Sequence, residues 1–192
     1  MTEQKIYLMM NKPCGYVCSA VSDSHKTIYE LLPQQLQNLV QNAKRGQRLH
    51  TVGRLDCNTS GLILLTNDGN FSNALTRPQN QITKTYEVTL ETPVDQIEKQ
   101  NEYIRLAGQG LLLPPEKKAP EQKSAGAVIK FLFPTSCLIT VTEGKFHEVR
   151  RIFRALGNTV TALKRIAMGP FALPKDLLPG QYQKLPDNTA LL

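Results

Sequence analysis

"GRLDCNTSGLILLTNDG", Gly53 to Gly69, sets Asp56 just ahead of the apolar run Leu62-Ile63-Leu64-Leu65. The run is short and bounded by turn residues, which reads as a buried strand rather than a helix. A carboxylate at the mouth of such a strand is partly shielded from water. It needs a partner charge, donated hydrogen bonds or a chemical task. Arg54, two positions away, is one candidate partner, and an Asp capping a local turn through Thr59 and Ser60 is the plain structural alternative. Asp68 to Leu75 then reads as a short helix closed before Pro78.

Outward from this stretch the pattern is mostly strands. "IYLMMNKPCGYVCSA" reads as two short strands around Asn11-Lys12-Pro13, and "PQQLQNLVQNAKRG" as a helix burying Leu36, Leu39, Val40 and Ala43. "ITKTYEVTL" alternates, with Tyr86, Val88 and Leu90 on one face. Thr92-Pro93-Val94-Asp95 predicts the start of a helix toward Tyr103, and 108–126, rich in proline, glycine and charge, predicts a long irregular surface connection. Ala127–Phe133 and Cys137–Thr142 predict a hairpin around Pro134-Thr135-Ser136. At 100° per residue, Phe146, Val149, Ile152, Phe153 and Leu156 share one arc of a helix ending at Gly157. His147, Arg150, Arg151 and Arg154 fill another arc, a cationic stripe. A strand over Thr159–Arg165 and a proline-punctuated tail complete an α+β pattern. Its sheet is expected to be largely antiparallel. Residues 1–192 show no strong boundary, the N-terminal and C-terminal halves being expected as subdomains that share one sheet.

The chain's 192 residues carry a formal charge of +7, with pI near 9.3. Four cations and no acid lie between Lys44 and Arg54, and six cations against Glu148 alone lie between Gly144 and Arg165. Two such concentrations suit a polyanionic partner such as nucleic acid. Cys14, Cys18, Cys57 and Cys137 form no metal-ligand spacing, and no two of His25, His50 and His147 do either, so no metal is expected. There is no GxxxxGK[ST] loop, no GxGxxG fingerprint and no GxSxG elbow, which removes ordinary nucleotide hydrolysis, hydride transfer and serine hydrolase chemistry. With no membrane span or leader pattern, a cytoplasmic location and no membrane partner are expected.

Four separated motifs in order resemble the pseudouridine synthases, in particular the RsuA type that modifies ribosomal RNA. They are "NKPCGYVCS", "GRLDCNTSGLILLTNDG", "KTYEV" and "EGKFHEVRRIFRALGNTVTALKRIAMG". The resemblance implies a mixed, largely antiparallel sheet flanked by helices with a central basic active-site cleft, residues 1–192 forming one catalytic domain. It implies isomerisation of a uridine in ribosomal RNA, or in a ribosomal assembly intermediate, with no cofactor. The C1'–N1 glycosidic bond breaks, the uracil turns, and it rejoins through C5. It implies Asp56 as the essential group, Tyr86 against the target base and Arg150 as the guanidinium facing the aspartate. Arg54, Lys12, Lys145, Arg151, Arg154, Leu163, Lys164 and Arg165 are the expected substrate or RNA contacts, Leu163 as an apolar pocket floor. Core packing is the alternative for Tyr86 and Leu163, and phosphate binding for Arg150. "NKPCGYVCS" leans toward small-subunit 16S RNA. The alternatives are a large-subunit 23S enzyme, or an RNA-binding ribosome-assembly factor that keeps the fold without the activity. With the motif starting at Asn11, no N-terminal S4 domain is expected, and a monomer is expected. Glu148 stands where the family commonly has glutamine, an added anion beside Arg151 or Arg154.

Overall fold

The computed structural model describes residues 4–44, 46–117 and 119–186. Two compact units are present, one made of the chain up to Asn80 with the segment from Pro170 onward, the other of Gln81–Gly169. Among the described residues no helix is long and apolar enough to cross a membrane.

The first unit contains β1 (Tyr7–Lys12), β2 (Tyr16–Val17), β3 (Lys26–Thr27), α1 (Gln34–Gln41), β4 (His50–Thr51), β5 (Ser60–Thr66) and α2 (Gly69–Thr76). Leu62, Ile63, Leu64 and Leu65 of β5 are all fully buried, so both faces of the strand are covered and the run is continuous rather than alternating. β5 lies antiparallel to β1 in a register running from Tyr7 opposite Thr66 to Lys12 opposite Gly61. The end of β1 therefore sits beside the start of β5, where the segment carrying Asp56 arrives. Gly61 makes that entry with φ of 100°, a region closed to most side chains. Asp68 caps α2, accepting from the Asn70 N–H at 3.0 Å, and also accepts the Tyr7 hydroxyl at 2.8 Å.

The second unit contains β6 (Lys84–Leu90), α3 (Ile97–Gln109), β7 (Leu112–Leu113), β8 (Gln122–Lys123), β9 (Val128–Phe133), β10 (Ser136–Val141), α4 (Glu148–Ala155) and β11 (Val160–Met168). Its strands run antiparallel in the order β11-β6-β10-β9. Val88, Leu90, Ile129 and Ile139 meet Val149, Ile152 and Phe153 of α4 in one apolar cluster. The chain then returns to the first unit through β12 (Phe171–Ala172) and β13 (Tyr182–Lys184), and β13 pairs with β1.

Three expectations change. α3 begins at Ile97, not after Thr92, because the Thr92 main chain is occupied by Asn158. The Thr92 N–H donates to Asn158 Oδ1 at 3.2 Å, and the Thr92 carbonyl accepts from Nδ2 at 2.9 Å. The 108–126 connection is organised, since β7 and β8 pair and Glu116 bridges to Ala119 in the main chain. Phe146 lies before α4 rather than on its buried arc, and it is exposed.

Burial sets the cost of substitution here. Phe153→Ala should lower stability by about 3–5 kcal/mol, whereas Phe133→Ala, at an exposed edge position, should change it by no more than about 0.5 kcal/mol. Urea unfolding of the two variants checks the difference.

Candidate active site

Asp56 occupies a tight main-chain turn, closed by the Thr59 N–H donating to the Asp56 carbonyl at 3.0 Å. The side chain is half-buried, and Arg54 beside it is exposed. What holds the turn is Lys12, at 0% exposed. Its Nζ donates to the carbonyls of Pro13 (3.1 Å), Asp56 (3.1 Å), Cys57 (3.3 Å) and Thr59 (2.8 Å). The Gly15 N–H adds a bond to the Cys57 carbonyl at 2.9 Å, and Cys18 Sγ lies 3.4 Å from the Leu55 nitrogen, which donates to it. Three residues of "NKPCGYVCS" thus brace "GRLDCNTSG". Burial pulls Lys12 below the ordinary lysine range, opposed by Cys18, Cys14, Cys57 and Asp56. The expected RNA contact for Lys12 is corrected: an ammonium enclosed by carbonyls has no surface to offer a phosphate.

In the second unit, strand register sorts the remaining residues. β11 pairs with β6 so that Arg165 faces Tyr86 and Leu163 faces Val88, placing all four on one face of this sheet. Tyr86 is half-buried against the apolar cluster, and Leu163 belongs to that cluster. Lys164 pairs with Glu87 and takes the opposite face. Lys84, not singled out in the sequence, shares the Tyr86 face. The signal was the two-residue spacing of "KTY". Burial and the nearby Arg165 charge lower Lys84, opposed by Glu148. Arg150 on α4 donates to the Val160 carbonyl at 2.9 Å, which ties the helix to the start of β11.

The cationic stripe is only partly exposed. Arg151 is 0% exposed and Arg165 2%. The Arg151 guanidinium donates to the carbonyls of Pro114 (2.8 Å), Phe146 (3.3 Å), Leu113 (3.3 Å) and Pro120 (2.7 Å). The β7–β8 hairpin covers this side of α4 with carbonyl oxygens, and those need a donor. Surface RNA contact for Arg151 is corrected on that ground, and for Arg165 by its burial. Arg154 and Arg54 are exposed, Lys145 and Lys164 half-exposed. Arg45, in the other basic cluster, lies outside the described residues. Among the described residues no group of three acids, histidines or cysteines is placed to hold a metal ion.

Glu148 is not a solvent-facing anion. It is buried, and its Oε2 accepts from the Lys145 N–H at 3.3 Å. Burial, with the neighbouring Glu143 charge, pushes its carboxyl up to about 7, against the pull of Lys145.

The RNA pseudouridylate synthase pattern matches residues 6–155, and so spans both the Asp56 turn and α4. The chain belongs to that family. Its fold is that of the synthases: a solved pseudouridylate synthase superposes with a TM-score of 0.82 at 37% identity, covering 97% of this chain and 72% of that one. A structure of the archaeal box H/ACA Nop10–Cbf5 complex matches in fold alone, with a TM-score of 0.57 at 17% identity, covering 91% of this chain and 51% of that one. Ribosomal small subunit pseudouridine synthase A of Escherichia coli (strain K12) is 37% identical over 182 residues, 95% of this chain and 71% of that protein. The Haemophilus influenzae protein of the same name is 37% identical over 183 residues, again 95% and 71%. This synthase is therefore an RNA-modifying isomerase, with an α+β fold built on a mixed, largely antiparallel sheet.

Two tests follow from the synthase's electrostatics. Lys12→Met should cost about 2–4 kcal/mol, because four buried carbonyls lose a charged donor, and should remove most of the activity with the turn; thermal unfolding and turnover assays read both. For Glu148 the folded carboxyl holds its proton more tightly than the unfolded one. Its contribution is complete below the ordinary value of 4.5 and is lost as pH rises through about 7. Glu148→Gln, which cannot ionise, should therefore gain stability relative to the parent across that window, by up to roughly 3 kcal/mol. Melting curves between pH 4 and 8 that stay parallel would contradict it.

Proposed function

We propose that this synthase converts one uridine of ribosomal RNA, in the small subunit, to pseudouridine, with Asp56 as the essential carboxylate. The observation that carries the reading is similarity, along 95% of the chain, to proteins named ribosomal small subunit pseudouridine synthase A. The Lys12-braced turn supports it, because a group that must meet a reacting carbon gains from a backbone that does not move. Asp56 acts on the sugar or the uracil. The C1'–N1 bond breaks, the base turns, C1' bonds to C5, the C5 proton leaves to solvent and N1 acquires one.

Tyr86 is assigned to the target base, and Arg150 to keeping the carboxylate ionised. A uridine inside stacked RNA must first be extruded, at a cost of a few kcal/mol. Arg54, Lys145, Arg154 and Lys164 offset that cost by holding flanking phosphates. Lys12 and Arg151 brace the protein instead, and Arg165 is buried.

Tritium release from RNA labelled at uridine C5 tests the chemistry: wild type should release label, and Asp56→Asn should fall by at least about 10³-fold with RNA binding retained. Binding without release by wild type would leave an assembly factor. Mapping pseudouridine in cells lacking the protein should show a site missing from small-subunit RNA; a site missing from large-subunit RNA would overturn the choice of subunit.

A further inference from the structure

The sequence places Phe146 on the buried arc of α4, yet the residue is 44% exposed and its ring lies flat on His147, with centroids 3.9 Å apart and planes at 16°. Everything under this ring is fixed. His147 takes φ of 47°, the left-handed region that non-glycine residues rarely enter and that clusters at functional sites. Its Nδ1 is held by Glu116 Oε1 at 2.8 Å, and the other carboxylate oxygen of Glu116 pairs with Arg154 at 3.3 Å. Burial works to raise the Glu116 carboxyl, but the hydrogen bond and charge of His147, with Arg154 and Lys117, outweigh it and keep it below the usual range. The Phe146 carbonyl accepts from buried Arg151.

We propose that Phe146, seated on His147, is the landing surface for an unpaired RNA base adjacent to the uridine being modified. This rests on the RNA-modifying reading above. One ring face is covered by an imidazole and the residue stays 44% exposed, which leaves room for a flat partner. Aromatic faces among cations bind single-stranded RNA by stacking, with little demand on which base arrives. Lys145 precedes the ring, Arg154 shares its carboxylate with His147, and Arg150 lies four residues on. A protein partner would call for a continuous apolar patch, whereas Phe146 follows Gly144 and Lys145 and precedes a polar imidazole. Because Glu116 and Arg151 already hold the platform, little freedom is lost when a base settles on it.

The experiment measures RNA affinity by anisotropy and single-turnover rate at saturating RNA, using an rRNA fragment that wild type modifies. Phe146→Ala and Phe146→Leu should weaken affinity roughly 5- to 100-fold, with the saturated rate within about threefold of wild type, while Phe146→Tyr should match wild type. An abasic nucleotide at one position flanking the target should erase the difference between wild type and Phe146→Ala. Unchanged affinity in the Ala and Leu variants overturns the proposal and turns the ring toward a protein partner. A loss that no abasic position reproduces also overturns it, the ring then serving only to pack His147. If Phe146→Ala fails to fold, the Leu and Tyr variants decide. Wild type that neither binds nor modifies rRNA brings down the RNA-modifying reading itself, an outcome distinct from these.

Discussion

One ammonium group organises the part of the molecule where the chemistry is assigned. Lys12 stands at the end of β1, opposite the glycine where β5 begins, and its Nζ gathers the carbonyls of Pro13, Asp56, Cys57 and Thr59. A buried cation is costly unless its hydrogen bonds are complete, so the site cannot relax far in any direction without leaving the charge unpaired. The same argument explains why two stretches more than forty positions apart form one structural unit. Strand register brings them adjacent, and the lysine makes the adjacency obligatory.

Arg151 repeats the solution in the second unit. Its planar fork reaches four carbonyls at once, two of them on Pro114 and Pro120, residues that have no N–H of their own with which to build a regular ladder. Both cations act on backbone rather than on carboxylates. Each converts a short, proline-bearing segment that would otherwise fluctuate into a fixed wall. Arg54 and Arg154 remain exposed, Arg154 in a pair with Glu116.

Much of the architecture was legible because it depends on periodicity. The apolar run of β5, the alternation of β6 and the α4 arc over Val149, Ile152 and Phe153 each follow from a face that must be buried. Asp56 was legible as an oddity of placement, and the role proposed for it comes through the family motif. Illegible were features set by long-range hydrogen bonds. Nothing local to Thr92 announces that Asn158 will occupy its main chain and delay α3. Nothing around Arg151 announces that a hairpin will fold over it, so a helical wheel assigns it to solvent. Glu148 and Lys12 were misread alike, since charge alone suggests surface and only the packed structure shows enclosure. Phe146 erred in the opposite direction, because helical spacing was extended one turn past a residue whose backbone leaves the helix.

The Arg151 clasp touches the β7–β8 hairpin only through main-chain oxygens. Such oxygens are supplied by any residue, so the identities of the side chains along Leu112–Lys123 are not what the guanidinium recognises; the path of the chain is. Buried Leu113 and the Glu116 that pairs with His147 and Arg154 are constrained, whereas exposed positions of the stretch such as Leu112 can acquire new surface chemistry without disturbing the helix beneath. A segment of this kind gives the fold a surface that can vary at low structural cost.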